Sequence, residues 1–256
     1  MKSNDYIKGV FVMCDKEKQA NILLHQMYEK WLQELKEISP DLFGEKYSNP
    51  YFISIPEGWY TSDVRILVVG EEGFGTWGCG KQNAEVSAYE ISKIQNMNRQ
   101  FLGKQLGYIE MNLEDKKNIS PFWRRFRAIN QYGICAWSNI DKIHLLKNSN
   151  CKLSDKDRKA LHALPTKILQ EEINILQPTH IIFFGWYGVS LKYELPEVFA
   201  QLYPTGLRDS SVWYKNVVAF DIDEKSYIFT YHPAWGVRQE GYEENVMTVF
   251  AGTISR

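Results

Sequence analysis

The run Arg65-Ile66-Leu67-Val68-Val69-Gly70 constrains the fold more than any other stretch of the chain. Its apolar residues are consecutive rather than alternating with polar ones, and most are β-branched. A strand of that kind has both faces buried, as in a parallel sheet covered by helices on either side. Similar runs follow at Gly133-Ile134-Cys135-Ala136-Trp137-Ser138-Asn139 and Thr179-His180-Ile181-Ile182-Phe183-Phe184-Gly185, with two more at Val217 to Phe220 and Tyr227 to Tyr231. Helical patterns separate them. From about Lys16 to Ile38 apolar residues fall at Ile22, Leu23, Met27, Trp31, Leu32 and Leu35, a broad amphipathic stripe that Ser39-Pro40-Asp41 ends. Helix is expected again from about Ala84 to Leu102. The next starts at Pro121-Phe122-Trp123, with Ser120 as N-cap, and two more cover about Thr166 to Gln177 and the chain from about Tyr242 onward. Strands alternating with helices predict an α/β fold: a three-layer α/β/α sandwich around a mainly parallel sheet of about four to five strands.

At 256 residues the chain accommodates one such domain. Residues 1–60 read as an N-terminal helical extension packed on the core and residues 61–256 as the α/β domain, a single domain taken together. A net charge of −1 excludes a protein that is basic all over, so any nucleic-acid contact has to come from a local patch. No segment approaches the roughly 18 apolar residues of a membrane span, and Met1-Lys2-Ser3-Asn4-Asp5 lacks the apolar part of a signal peptide. A cytoplasmic protein without membrane association is expected. Cys14, Cys79, Cys135 and Cys151 are single and far apart, so they read as reduced thiols with no metal site among them.

In doubly wound sheets ligands bind at the carboxyl ends of the strands, a rule that selects Gly70, Asn139, Gly185 and His232. The loop Gly70-Glu71-Glu72-Gly73-Phe74-Gly75 is no phosphate cradle: it has no Gly-Lys-Ser/Thr, and its two carboxylates repel phosphate. Those carboxylates suit a site that activates water or opposes positive charge, or else they simply face solvent beside a helix start. His232, two residues past an apolar run and fixed by Pro233, can present its imidazole to a ligand or serve the structure alone. Asn139 can read a ligand through its amide or close its strand as a turn residue.

Taken together the motifs are more informative. Gly70-Glu71-Glu72-Gly73, Asn139, the stretch Leu169-x-x-Glu172-Ile173-x-x-Leu176-x-Pro178-x-His180-Ile181-Ile182-x-Phe184-Gly185, and Tyr231-His232-Pro233-Ala234-x-x-x-Arg238 occur in the order seen in the uracil-DNA glycosylase superfamily, which the chain resembles over about residues 64 to 255. The nearest spelling is that of the thermostable bacterial and archaeal branch, with Gly-Glu-Ala-Pro-Gly first and His-Pro-Ala-x-x-x-Arg last. Here Glu72-Gly73 replaces Ala-Pro. The cysteines do not match those that hold that branch's iron–sulfur cluster, so no cofactor is expected.

The resemblance implies a hydrolase that flips a damaged nucleotide out of single- or double-stranded DNA and cleaves its N-glycosidic bond, a base-excision step of DNA repair. It implies that Glu71 or Glu72 holds the attacking water, that His232 stabilises the departing base anion, and that Asn139 reads the base edge, with Phe74 or Trp77 stacked on the base. Trp235 then enters the vacated base stack or lids the pocket, and Arg238 holds a phosphate. Lys81, Lys142 and Arg208 are weaker candidates for backbone contacts, and Arg124, Arg125 and Arg127 read as a solvated helix face. No obligate protein partner is evident. The competing expectations are a family member with altered catalysis that serves as a nucleic-acid-binding or phage-defence module, and a small-molecule hydrolase. The second of these lacks a Gly-x-Ser-x-Gly elbow.

Overall fold

The computed structural model of the protein describes residues 14–38, 48, 50–72, 88–106, 120–143, 167–185, 212–214, 217–222 and 224–255. Along the chain come α1 (Asp15–Ile38), β1 (Arg65–Glu72), α2 (Ala88–Leu106), α3 (Pro121–Ile129), β2 (Ile134–Asp141), α4 (167–176) and β3 (His180–Phe184). They are followed by β4 (Val212–Tyr214), β5 (Val217–Ile222), β6 (Lys225–Thr230), the short α5 (Pro233–Gly236) and α6 (Tyr242–Ile254). The strands form one sheet in the order β2-β1-β3-β6-β5-β4. β2, β1, β3 and β6 run parallel; β5 is antiparallel to β6, and β4 to β5. The expected α/β fold with a mainly parallel sheet is present, and the three-residue edge strand β4 brings the strands to six.

Pleating explains the two cores. Successive residues of a strand point to opposite faces, so Leu67, Val69, Ile181, Phe183 and Phe229 enter one core with residues of α1, α4 and the first half of α2. Ile66, Val68, Ile182, Phe184 and Ile228 enter the other, with Phe122, Phe126 and Ile129 of α3 and Tyr242, Val246, Val249 and Phe250 of α6. Consecutive apolar residues in the sequence are thus shared between two helical layers, one on each side of the sheet.

α1 starts where Glu17, buried at its third position, accepts a hydrogen bond from the Cys14 backbone N–H at 3.0 Å, one half of a capping box. Its buried stripe is Ala20, Leu24, Met27, Tyr28, Trp31, Leu32 and Leu35. Ile22 and Leu23, expected on that stripe, are exposed instead: the wider spacing of Leu24, Tyr28 and Trp31 sets the face. α3 begins as expected, with the Ser120 hydroxyl accepting from the Trp123 N–H and Pro121 in the first turn. Its arginines differ from expectation. Arg125 is buried, with one guanidinium nitrogen 2.8 Å from Glu243 of α6. The Arg127 Nε–H donates to the Gln105 carbonyl of α2 and its side chain is half-buried, while Arg124 is exposed as expected.

The segment before β1 is woven into the same core. The Trp59 indole N–H donates to the Leu176 carbonyl at 2.8 Å, and the Tyr60 hydroxyl to the Ile175 carbonyl at 2.8 Å, both at the end of α4. Gln95 and Asn98 of α2 donate to the carbonyls of Ile53 and Phe52. No helix among the described residues is long and apolar enough to cross a membrane.

Candidate active site at the carboxyl ends of the parallel strands

β1 and β2 lie in register with Gly70 beside Asn139 and Glu72 beside Asp141. Both strands therefore run two residues further than the sequence indicates: Asn139 sits inside β2 rather than ending it, and the backbone of Glu71 and Glu72 is strand rather than loop. Gly70 is required by its neighbour. A Cβ at this position would lie 2.6 Å from Asn139 Oδ1 and 3.5 Å from the Phe122 ring, closer to the first than atoms can approach. Only a glycine lets the Asn139 amide lie across β1.

That amide is buried and only half satisfied, one of several side chains among the described residues with an unpartnered buried polar atom. Asn139 is 1% exposed, and its Oδ1 accepts from the Trp137 indole N–H at 3.0 Å. Trp137 stands two residues earlier on the same strand face. The other end, Nδ2, is buried without any hydrogen-bond partner. An unsatisfied buried donor costs about 1–3 kcal/mol, so it calls for a reason. A ligand that accepts from it would supply one.

Phe122, at the start of α3, connects this amide with the last parallel strand. Its ring lies 5.5 Å from that of Phe184 on β3, 6.1 Å from Trp137, and 6.0 Å from His232 in a near-parallel stack at 19°. His232 follows β6 and caps α5, where its Nδ1 accepts from the Ala234 N–H at 3.2 Å. In a neutral imidazole one nitrogen accepts and the other carries the proton. The cap therefore leaves Nε2 as the protonated nitrogen, a donor when the ring is neutral. α5 and α3 pack against each other, which fixes the distance between the histidine and the aromatic ring beside the amide.

The spelling around His232 has a packing origin as well. A Cβ on Gly236 would fall 2.4 Å from the Tyr242 ring, so the glycine lets α5 seat directly on that tyrosine. The Tyr242 hydroxyl donates to the Tyr231 carbonyl at 2.7 Å, just before His232. Burial pushes the Tyr242 phenol up to about 12, although bonding to Thr230 and the Arg125 charge pull the other way; it stays a donor throughout the physiological range. Trp235 is 44% exposed and rests on the Tyr231 ring at 4.3 Å. Arg238 is exposed just beyond α5.

Asn139, His232 and Gly70 thus gather on one face of the sheet at the strand ends, joined by Phe122, with Trp235 and Arg238 on the adjoining short helix and turn. Phe122 and Trp137 were not among the residues expected from sequence. Trp137 was legible as the residue two before Asn139 on one strand face; nothing local indicates that Phe122 meets His232. Phe74, Trp77, Lys81 and Arg208 lie outside the described residues, as do the side chains of Glu71 and Glu72. Among the described residues no group of three or more His, Cys, Asp or Glu is placed to hold a metal ion.

Lys142 does not belong to a DNA-facing surface. Its side chain is fully buried on the opposite sheet face, with Nζ 2.6 Å from Glu172 Oε2 and 2.5 Å from Ser138 Oγ. Ser138 donates to the same carboxylate oxygen at 2.7 Å, and the Tyr28 hydroxyl to the other at 2.6 Å. Tyr28 in turn accepts from the Ile53 N–H at 2.9 Å. Burial lowers the Lys142 ammonium below its ordinary value while Glu172 pulls it back up. Every member is closed off from solvent, so the cluster serves structure: it ties α1, α4 and the end of β2 together behind Asn139.

No protein-family model matches the chain, and a comparison with curated proteins returns no significant relative.

Proposed function

We propose that the protein is a DNA glycosylase that hydrolyses the N-glycosidic bond of uracil or another modified base flipped out of DNA. The observation that carries this reading is the Asn139 amide: a buried, unpartnered N–H2 at the carboxyl ends of parallel strands, on the sheet face where Phe122 stacks on His232. A base is unreachable inside the duplex and has to be turned out into such a place, where its edge meets hydrogen-bond groups and its faces meet aromatic rings.

Glycosidic cleavage leaves positive charge on the sugar and negative charge on the departing base. His232, with Nε2 as the protonated nitrogen, donates to the base carbonyl oxygen as charge builds there. One such donor is worth about 2.7–4 kcal/mol. Glu71 or Glu72, at the end of β1, holds the attacking water and opposes the sugar's positive charge. Phe74 or Trp77 stacks on the base. Exposed Trp235 fills the gap the flipped nucleotide leaves, and Arg238 takes a phosphate beside it.

The test is release of free base from single-stranded and mismatched DNA carrying uracil, deaminated purines or modified cytosines. Release from at least one of these is expected. A panel with none released, together with salt-dependent DNA binding, would leave a nucleic-acid-binding or defence module in its place.

A further inference from the structure

We infer that Trp137 is a positioning residue: its indole N–H turns the Asn139 amide so that the N–H2 end meets the ligand, and the site thereby selects a ring carbonyl oxygen over an exocyclic amine. This rests on the reading of Asn139 as the residue that meets the base. The two ends of an asparagine amide are nearly the same shape, so partners alone decide which faces a ligand. An indole nitrogen only donates. With Trp137 Nε1 at 3.0 Å, Oδ1 has to face the indole; the flipped amide would set N–H against N–H and lose the bond.

Trp137 is itself held from several sides, so the indole cannot turn to suit a flipped amide. It is 7% exposed, and its ring packs on Trp123 at 4.7 Å, Tyr51 at 4.5 Å and Phe101 at 5.9 Å. The Tyr51 hydroxyl donates to the Trp137 carbonyl at 2.9 Å, and the Tyr51 N–H to the Lys142 carbonyl at 2.7 Å. On the opposite side Gly70, with no Cβ, leaves the place that Oδ1 takes open; a Cβ there would lie 2.6 Å from it. What remains is Nδ2, buried and unpartnered. It is complementary to an exocyclic oxygen, as on uracil or hypoxanthine. The amine of cytosine or adenine would put donor against donor in a buried site. The choice between carbonyl and amine is therefore made by Trp137 acting through Asn139.

The experiment uses the full chain with 15N-labelled asparagine, titrated with free uracil and free cytosine while the Asn139 side-chain N–H2 signals are followed. Uracil should move them at concentrations about ten-fold lower than cytosine, the worth of one buried hydrogen bond. Replacing Trp137 by 3-benzothienylalanine keeps the ring shape and removes the N–H, and should cut the preference to about three-fold or less. W137F also lacks the N–H and serves if the analogue does not fold. A preference unchanged by both substitutions overturns the inference, as does wild-type protein whose Asn139 signals neither base moves. Base release from DNA is measured in parallel. Base preference without release removes the glycosylase and leaves the role of Trp137; release with a preference the variants do not change does the reverse.

Discussion

Gly70 shows how one residue's smallness sets another's chemistry. A methyl group there would overlap Asn139 Oδ1 at 2.6 Å, so Gly70→Ala should push the amide off β1 and break its bond to Trp137. Loss of base release by about ten-fold or more is expected, because a misplaced group loses much of its worth in a positioned site. The fold should survive, since β1 keeps its ladder to β2 and β3. Circular dichroism alongside a release assay checks this; full activity in the variant would mean that the amide's place is unimportant. His180, at the start of β3, governs stability instead. Burial lowers its pKa below 6.5, against the opposing pull of the Thr253 backbone and the Asp221 carboxylate. The unfolded chain therefore binds the proton more readily, and stability falls as pH drops below about 6.5, until the folded-state value is passed. Urea midpoints measured across that window should fall for the wild type and flatten for His180→Asn. Equal slopes in both would assign the acid sensitivity to other groups.

Among the elements, the long strands were legible because each is a consecutive apolar run that only a sheet covered on both faces can bury. β4 was not: Val212-Trp213-Tyr214 is too short to stand out from its surroundings. α1 was legible as a helix and, through Met27, Trp31, Leu32 and Leu35, in most of its face; Ile22 and Leu23 fall outside it, and Tyr28 joins it through its hydroxyl as much as its ring. Lys142 misleads in the same way. A lysine after a strand is nearly always solvated, and the carboxylate that keeps this one buried is 30 positions away in sequence. Removing one partner of a buried pair leaves an uncompensated charge, so Lys142→Met should destabilise by about 3–5 kcal/mol. Lys142→Met with Glu172→Leu should recover part of that loss. Chemical denaturation measures both, and a double variant no better than the single would show that Ser138 and Tyr28 need the carboxylate more than the carboxylate needs the lysine. Through Tyr28 the same cluster binds α1 to the sheet. Amide exchange in α1 should accordingly be as slow as in β1, and fast exchange there would mark α1 as separately unfolding.

For the molecule as a whole, the layered α/β architecture followed from the order of strands and helices. The strand-end rule selected Gly70, Asn139, Gly185 and His232 before any resemblance was considered, and all four stand at the carboxyl end of the sheet's parallel strands. What stayed hidden was tertiary: Phe122 reaches His232, about 110 positions on in the chain, only because α3 packs on α5. For the proposed activity, a net charge of −1 leaves DNA to be held by a local patch. With few phosphates neutralised, log affinity against log salt should have a slope of only about −1 to −3 in anisotropy titrations. A steep slope would demand a basic surface beyond Arg238. The central claim is that His232 stabilises a departing base, and single-turnover cleavage of uracil-containing DNA tests it most directly. Wild-type protein should release uracil, with His232→Ala slower by about 10²–10³-fold at nearly unchanged DNA affinity. No release by the wild type, or equal rates for the two, would contradict the account.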